Sequence, residues 1–148
     1  MIDVREYLRS FRREEAKIAM KKRQLGSLRE RLTSLSVSTD KEQVSHTKNV
    51  AILSETIARI VDMEKDIGLL QDRLTASKCE AYHYFDEIPT VSVSLLMDRY
   101  FEEKTNSTIC EQRFITERHL RRLMSEAINA LQEIMDQAQA EHDKKMSG

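Results

Sequence analysis

Apolar residues recur every seven positions through the first part of the chain, at Val4, Phe11, Ile18, Leu25 and Leu32, with Tyr7, Leu28 and Leu35 in the companion row. A seven-residue period draws one stripe along an α-helix, and that stripe needs a facing helix to cover it. Leu53, Ile60, Ile67 and Leu74 repeat the period further on, flanked by Val50, Ile57, Met63 and Leu70. The pattern predicts two long helices folded into a coiled-coil-like hairpin. Helices of roughly 30 to 40 residues at about 1.5 Å per residue would be about 50 to 60 Å long. Glu14 and Lys21 interrupt the companion row, which suits a seam that specifies register or a partner.

Composition agrees with long helices. Among 148 residues, 33% are charged and 5% aromatic, with three Gly, one Pro and no Trp. That is helical rather than sheet-like usage, so the expected class is all-α. The net charge of -1 excludes a protein that coats nucleic acid by bulk attraction. The distribution is uneven, however. Residues 1–35 carry ten Lys and Arg against five Asp and Glu, residues 36–90 six against ten, and residues 91–148 eight against ten. The first two segments are electrostatically complementary. Arg5, Arg9, Arg12, Arg13, Lys17, Lys21, Lys22 and Arg23 could contact phosphate, but a solvated face beside an acidic second helix is the reading favoured by that complementarity.

Residues 34–45 lose the period and gather Ser, Thr and Asp, which predicts a loop, with the second helix starting near Val50 and running to about Phe85. Glu87, Ile88 and Pro89 mark a boundary, since Pro disfavours a helical residue before it. The expected organisation is a stem over 1–90 and a second module over 91–148. Two helices folded on each other bury one stripe apiece, so Met63, Leu70, Tyr82 and Phe85 need another surface. A second copy is the simplest supplier. A homodimer is therefore expected, with Phe11, Ile18, Leu25, Leu53, Ile60, Ile67 and Leu74 as its oligomerisation seam.

The stretch Ser94 to Ile128 is punctuated differently. Val91 to Glu103 predicts a supporting helix, Thr105 to Thr108 a polar helix start, and Phe114 a turn. Thr116 stands where an N-cap belongs, with Glu117 next to it at the positive end of the new helix. Ile109, Ile115, Leu120 and Leu123, with small Cys110, have the spacing that lets two short helices bury their inner faces. Arg118, Arg121, Arg122 and Ser125 are three or four apart and share the opposite face, the arrangement a helix in the major groove requires. His119 is DNA-facing or solvent-facing. An isolated run of Arg on a helix is usually solvated charge; the order of cap, short helix, turn and capped basic helix favours DNA. Lys104, Thr105, Ser107 and Thr116 would contact phosphate and Arg118, Arg121, Arg122 and Ser125 the groove. Arg113 occupies a place usually apolar and Phe114 one often held by Gly, so Phe114 is expected to fold inward. The pattern continues through Ile128, Leu131 and Met135 and could pack on the stem or on a second subunit, and the last eight residues, EHDKKMSG, are expected to fray.

The run RYFEEKTNSTICEQRFITERHLRRLMSEAINAL resembles the C-terminal part of ArpU-like and RinA-like phage transcriptional regulators, whose helix-turn-helix is similar to sigma-factor region four. Arg99, Tyr100, Lys104, Thr105, Ile109, Thr116, Arg118, Arg122 and Leu123 occupy that family's recurrent places. Cys110 stands for its usual alanine and Asn106 for an aromatic. YLRSFRREEAKI and ILSETIARIVDMEKDI are similar, more loosely, to its paired long helices. The resemblance implies regulation of phage genes, often late ones, through promoter double-stranded DNA and host RNA polymerase, in the cytoplasm of a bacterial host cell. The alternative is a coiled-coil interaction protein that docks on polymerase or another regulator without reading DNA.

Catalytic patterns are missing from the sequence. It contains no HExxH, Gly-rich phosphate loop, nucleophile elbow or CxxC pair, so neither an enzyme nor a cofactor is expected. Cys79 and His83 could share a helix face as two metal ligands, yet zinc normally takes four, and a packed thiol beside a surface histidine is the simpler reading. Two cysteines make no disulfide framework, and with no secretory signal ahead of them a reducing cytoplasm is expected. No apolar run approaches the roughly 20 residues that cross a bilayer, so no membrane partner is expected.

Overall fold

The computed structural model describes residues 2–41 and 46–147, with side chains over 2–36 and 48–147. These residues are all-α, without strands. The elements are α1 (Val4–Lys41), α2 (His46–Phe85), α3 (Thr90–Leu96), a π turn (Met97–Phe101), α4 (Asn106–Arg113) and α5 (Glu117–Ser147). The chain forms two compact units, one of Glu14–Thr75 and one of Met1–Arg13 with Ala76–Gly148. Both long helices pass from one unit into the other.

In the Glu14–Thr75 unit, α1 and α2 form the expected hairpin. Ile18, Leu25, Ile60 and Ile67 are its buried core, and Leu28, Leu32, Met63, Leu70 and Leu74 pack against it. Each fully buried aliphatic side chain contributes about 1.5 to 3 kcal/mol, so this stripe is what holds the pair together. Thr56 is the buried polar residue of the seam, and its hydroxyl donates to the Ile52 carbonyl at 2.8 Å, so it brings no unpaired group with it. Charge complementarity is realised across the hairpin by Lys21 to Asp66 at 2.7 Å and Arg29 to Glu64 at 2.6 Å. Exposed pairs of this kind contribute only about 0.2 to 1 kcal/mol each, and they act mainly on register. Lys21 thus interrupts the apolar row in order to meet an acid on α2.

Most of the stretch expected as a loop over 34–45 is helical. Helix α1 continues to Lys41 and α2 begins at His46, four residues ahead of Val50; residues 42–45 lie outside the described residues. No Gly or Pro falls in 34–45 to end the helix, and Ser or Thr inside a helix costs only tenths of a kcal/mol. Thr33 shows how such residues are accommodated, its hydroxyl donating to the Arg29 carbonyl 3.1 Å away.

The second unit gathers the start of α1, the end of α2 and everything after it. Val4, Leu8, Phe11, Ala81 and Phe85 are buried there. Phe101, delivered by the π turn, has its ring centroid 5.1 Å from Phe11, 5.9 Å from Phe85 and 6.0 Å from Tyr82. Such spacings are those of attractive edge and tilted aromatic pairs. Phe11 and Phe85 therefore find their covering surface within the chain, as do Met63 and Leu70 in the hairpin, whereas Tyr82 stays 42% exposed. Met63, Leu70 and Phe85 thus no longer require a second copy. Gln132 of α5 ties the two ends of the sequence together, accepting from the Val4 amide at 3.2 Å and donating to the Ile2 carbonyl at 2.8 Å.

The supporting helix is α3, and the stretch expected to be helical to Glu103 leaves the α-helix at Met97. There the ladder widens into the π turn, with the Glu102 amide reaching back to Met97 at 2.9 Å, and Glu103 reverses the chain at φ 56°. At the other end, α5 is helical through Ser147, and 137 and 139–147 are all exposed.

Candidate nucleic-acid interface

Two threonines build the helix-turn-helix. The Thr105 hydroxyl accepts from the Thr108 amide at 3.1 Å and starts α4; the Thr116 hydroxyl accepts from the His119 amide at 3.1 Å and starts α5. Each satisfies one of the free amides at a helix start. Leu95, Ile109 and Leu120 form the core between α3, α4 and α5, with Cys110, Ile115, Leu123 and Met124 packed around it. That is the apolar set expected from the sequence, extended by Leu95 and Met124.

The turn differs from expectation at both of its unusual residues. Phe114 takes the left-handed conformation, φ 55° and ψ 45°, and its side chain is 94% exposed instead of folding inward. The turn is closed by backbone, with the Ile115 amide on the Cys110 carbonyl at 3.2 Å. The apolar packing expected at this place is replaced by charge. Arg113 donates to Asp98 at 2.8 Å and to Ser94 at 2.6 Å, clamping α4 onto α3 and the π turn. Lys104 reaches the same Asp98 at 3.3 Å and Glu102 at 3.1 Å. Burial alone would raise the Asp98 pKa; the hydrogen bonds from Arg113 and Lys104 and their positive charges outweigh it, holding this carboxyl below the usual range. The carboxylates in turn raise the Lys104 pKa, through the hydrogen bonds that it donates first to Glu102 and then to Asp98. Lys104, expected on phosphate, is thus already engaged by two acids.

The other expected contact residues lie on the surface. Thr105, Ser107, Thr116, Arg118, Arg121, Arg122 and Ser125 are exposed, and His119 is half-buried. Arg118, Arg121, Arg122 and Ser125 share the face of α5 opposite buried Leu120, Ala127 and Leu131. Arg121 pairs with Glu117 at 3.2 Å and Arg122 meets the His119 Nδ1 at 2.8 Å, both within the first turns of the helix and both open to exchange for another partner.

Arg5, Arg9, Arg99 and Tyr100 adjoin one edge of this face, which the sequence alone does not reveal. With Arg121 and Ser125 they line a cleft of about 330 Å³. Arg5, Arg9 and Arg12 or Arg13 recur at helical spacing, which is visible in the sequence, but their meeting with Arg99 and Arg121 is tertiary. The expected oligomerisation residues lie elsewhere: Ile18, Leu25, Ile60 and Ile67 are buried in the hairpin, Leu74 packs on them, Leu53 is half-buried, and Phe11 is in the aromatic cluster. Cys79 and His83 are both exposed on α2, and no group of three or more metal-ligand side chains occurs among the described residues. No helix among these residues is long and apolar enough to cross a membrane.

The fold and the site define an all-helical hairpin protein with a helix-turn-helix whose second helix carries an exposed arginine face. No family model, no curated protein and no solved structure matches the chain.

Proposed function

We propose that this chain is a sequence-specific DNA-binding transcriptional regulator of the phage type, acting on double-stranded DNA through the start of α5. The observation that carries the reading is the coincidence, directly after a capped turn, of Arg118, Arg121, Arg122 and Ser125 on one exposed face with Leu120, Ala127 and Leu131 buried behind it. Side chains of a recognition helix reach base edges from such a face, and Arg is the commonest reader of guanine. Thr105, Ser107 and Thr116, exposed at two helix starts, supply phosphate contacts. A homodimer would present two such helices to paired half-sites, and with the hairpin seam occupied inside the chain, its contacts would come from exposed Val50, Ile57 and Val61 of α2.

The second reading, docking on RNA polymerase or another regulator without DNA contact, is kept in view by the near-neutral net charge. Salt separates the two. Binding of the full chain to a labelled duplex of random sequence, followed by fluorescence anisotropy between about 50 and 200 mM salt, should weaken steeply if phosphates are neutralised. Absence of duplex binding at the lowest salt, by a folded chain, would favour the docking reading.

A further inference from the structure

The arginines at the beginning of α1 belong to the same concave surface as the recognition helix. Arg5, Arg9, Arg99 and Arg121 line one cleft with Tyr100 and Ser125. A neighbouring cleft of about 300 Å³ is lined by Arg9, Arg12, Arg13, Arg99 and Tyr100. The two share Arg9, Arg99 and Tyr100, so they adjoin, and their arginines make a track from Arg121, at the edge of the outward face of α5, to Arg12 and Arg13 of α1. Carboxylates temper part of it: Glu6 pairs with Arg9 at 3.4 Å and with Arg13 at 3.2 Å, and Glu103 with Arg12 at 3.3 Å. All three pairs are about half exposed or more, a setting in which an ion pair contributes little and exchanges readily for a stronger anion.

From this juxtaposition we infer that Arg5, Arg9 and Arg99 form a second DNA site, one that holds the phosphodiester backbone flanking the groove entered by α5. A track suits a polymer of phosphates better than a single small anion, because successive charges need successive partners, and guanidinium forks match phosphate oxygens in pairs. The rim residues Arg121 and Ser125 belong to both surfaces, which fixes the order along the duplex: base reading at the start of α5, backbone gripping next to it on α1 and the π turn. Phosphate binding of this kind adds affinity and orientation but no sequence preference. The inference rests on the DNA-binding reading above and extends it to residues far apart in sequence, Arg9 and Arg99.

The salt dependence of binding to a random-sequence duplex tests it, measured for the full chain, for Arg5→Ala/Arg9→Ala/Arg99→Ala, for the same three positions changed to Lys, and for Arg31→Ala/Arg59→Ala in the other unit. The slope of log affinity against log salt should become shallower by about 0.9 for each phosphate that the alanine variant no longer neutralises. Lysine should restore the slope, since it keeps the charge, and the Arg31/Arg59 variant should leave it unchanged. If the triple alanine variant melts below the wild-type temperature, the pair Arg5→Ala/Arg9→Ala, both exposed, carries the measurement. An unchanged slope in a folded alanine variant overturns the second site and leaves the recognition helix standing. A wild type that binds no duplex overturns both. A variant that alters the sequence preference, with the slope intact, would move these arginines from the backbone to the bases and also overturn the inference.

Discussion

Phe114 departs from two preferences at once. An L-residue in the left-handed region costs about 1 to 2 kcal/mol relative to glycine, and a 94% exposed ring recovers nothing by burial. Phe114→Gly should therefore raise stability by about 1 kcal/mol, read as a higher midpoint in thermal or denaturant unfolding. A fall would mean that the ring has a partner. Tyr7 makes the opposite kind of exception. Its hydroxyl is buried without a hydrogen-bond partner among the described residues, and burial first, then the charges of Glu80 and Tyr84, raise its pKa. Removing the unpaired oxygen in Tyr7→Phe should stabilise by about 1 kcal/mol, because the desolvation cost goes and the ring, 5.2 Å from Phe11, stays. Neither outlier is fully legible in the sequence. It marks Phe114 as an unusual turn residue, but whether the ring points in or out depends on whether another group fills the space, and Arg113 does so.

At the scale of elements, the clamp around Asp98 holds α4 against α3 and the π turn. Arg113→Ala leaves a partly buried carboxylate with one cation fewer and should cost about 1 to 3 kcal/mol. The sign of the acid response follows from Asp98. Its folded pKa is depressed from 3.8, so its contribution is fully present above that value and is lost as pH falls through the lower folded value. Unfolding midpoints followed downward from pH 5 should drop in the wild type, and drop less steeply in Arg113→Ala. Identical pH profiles would show that the clamp contributes nothing to stability. The caps at Thr105 and Thr116 and the two heptad stripes are legible because each is a local signal with a local cause. The π turn is not, since it answers to Phe101 reaching Phe11 and Phe85, residues distant in sequence. The end of α1 differs from the sequence expectation for another reason: Ser, Thr and Asp favour loops only where the chain offers them one, and without Gly or Pro the helix simply runs on.

For the whole molecule, the seam that suggested a dimer is largely consumed by the chain itself. Of the apolar residues left exposed on α2, Val50, Ile57 and Val61 share one helical face, each between 41% and 46% exposed, apart from Leu69 and Tyr82. If two copies meet there, Ile57→Glu/Val61→Glu should convert a dimer to a monomer by light scattering while leaving the helical content unchanged; a wild type that is already monomeric at micromolar concentration would contradict it. Near-neutral net charge and a local arginine surface are compatible in one chain because the acids are spread along it while Arg5, Arg9, Arg99 and Arg121 converge on one cleft. Sequence spacing exposes the arginines of α5 but cannot show that those of α1 adjoin them.

The central claim is that the start of α5 reads duplex DNA. It is tested most directly by selecting bound sequences from a random duplex pool with the wild-type chain and with Arg121→Ala/Arg122→Ala in parallel. The wild type should enrich a motif and the double variant, folded, should not; loss of a single base-reading Arg should cost roughly 1 to 3 kcal/mol at one position of that motif. Equal enrichment by both proteins, or none by a folded wild type, would contradict it.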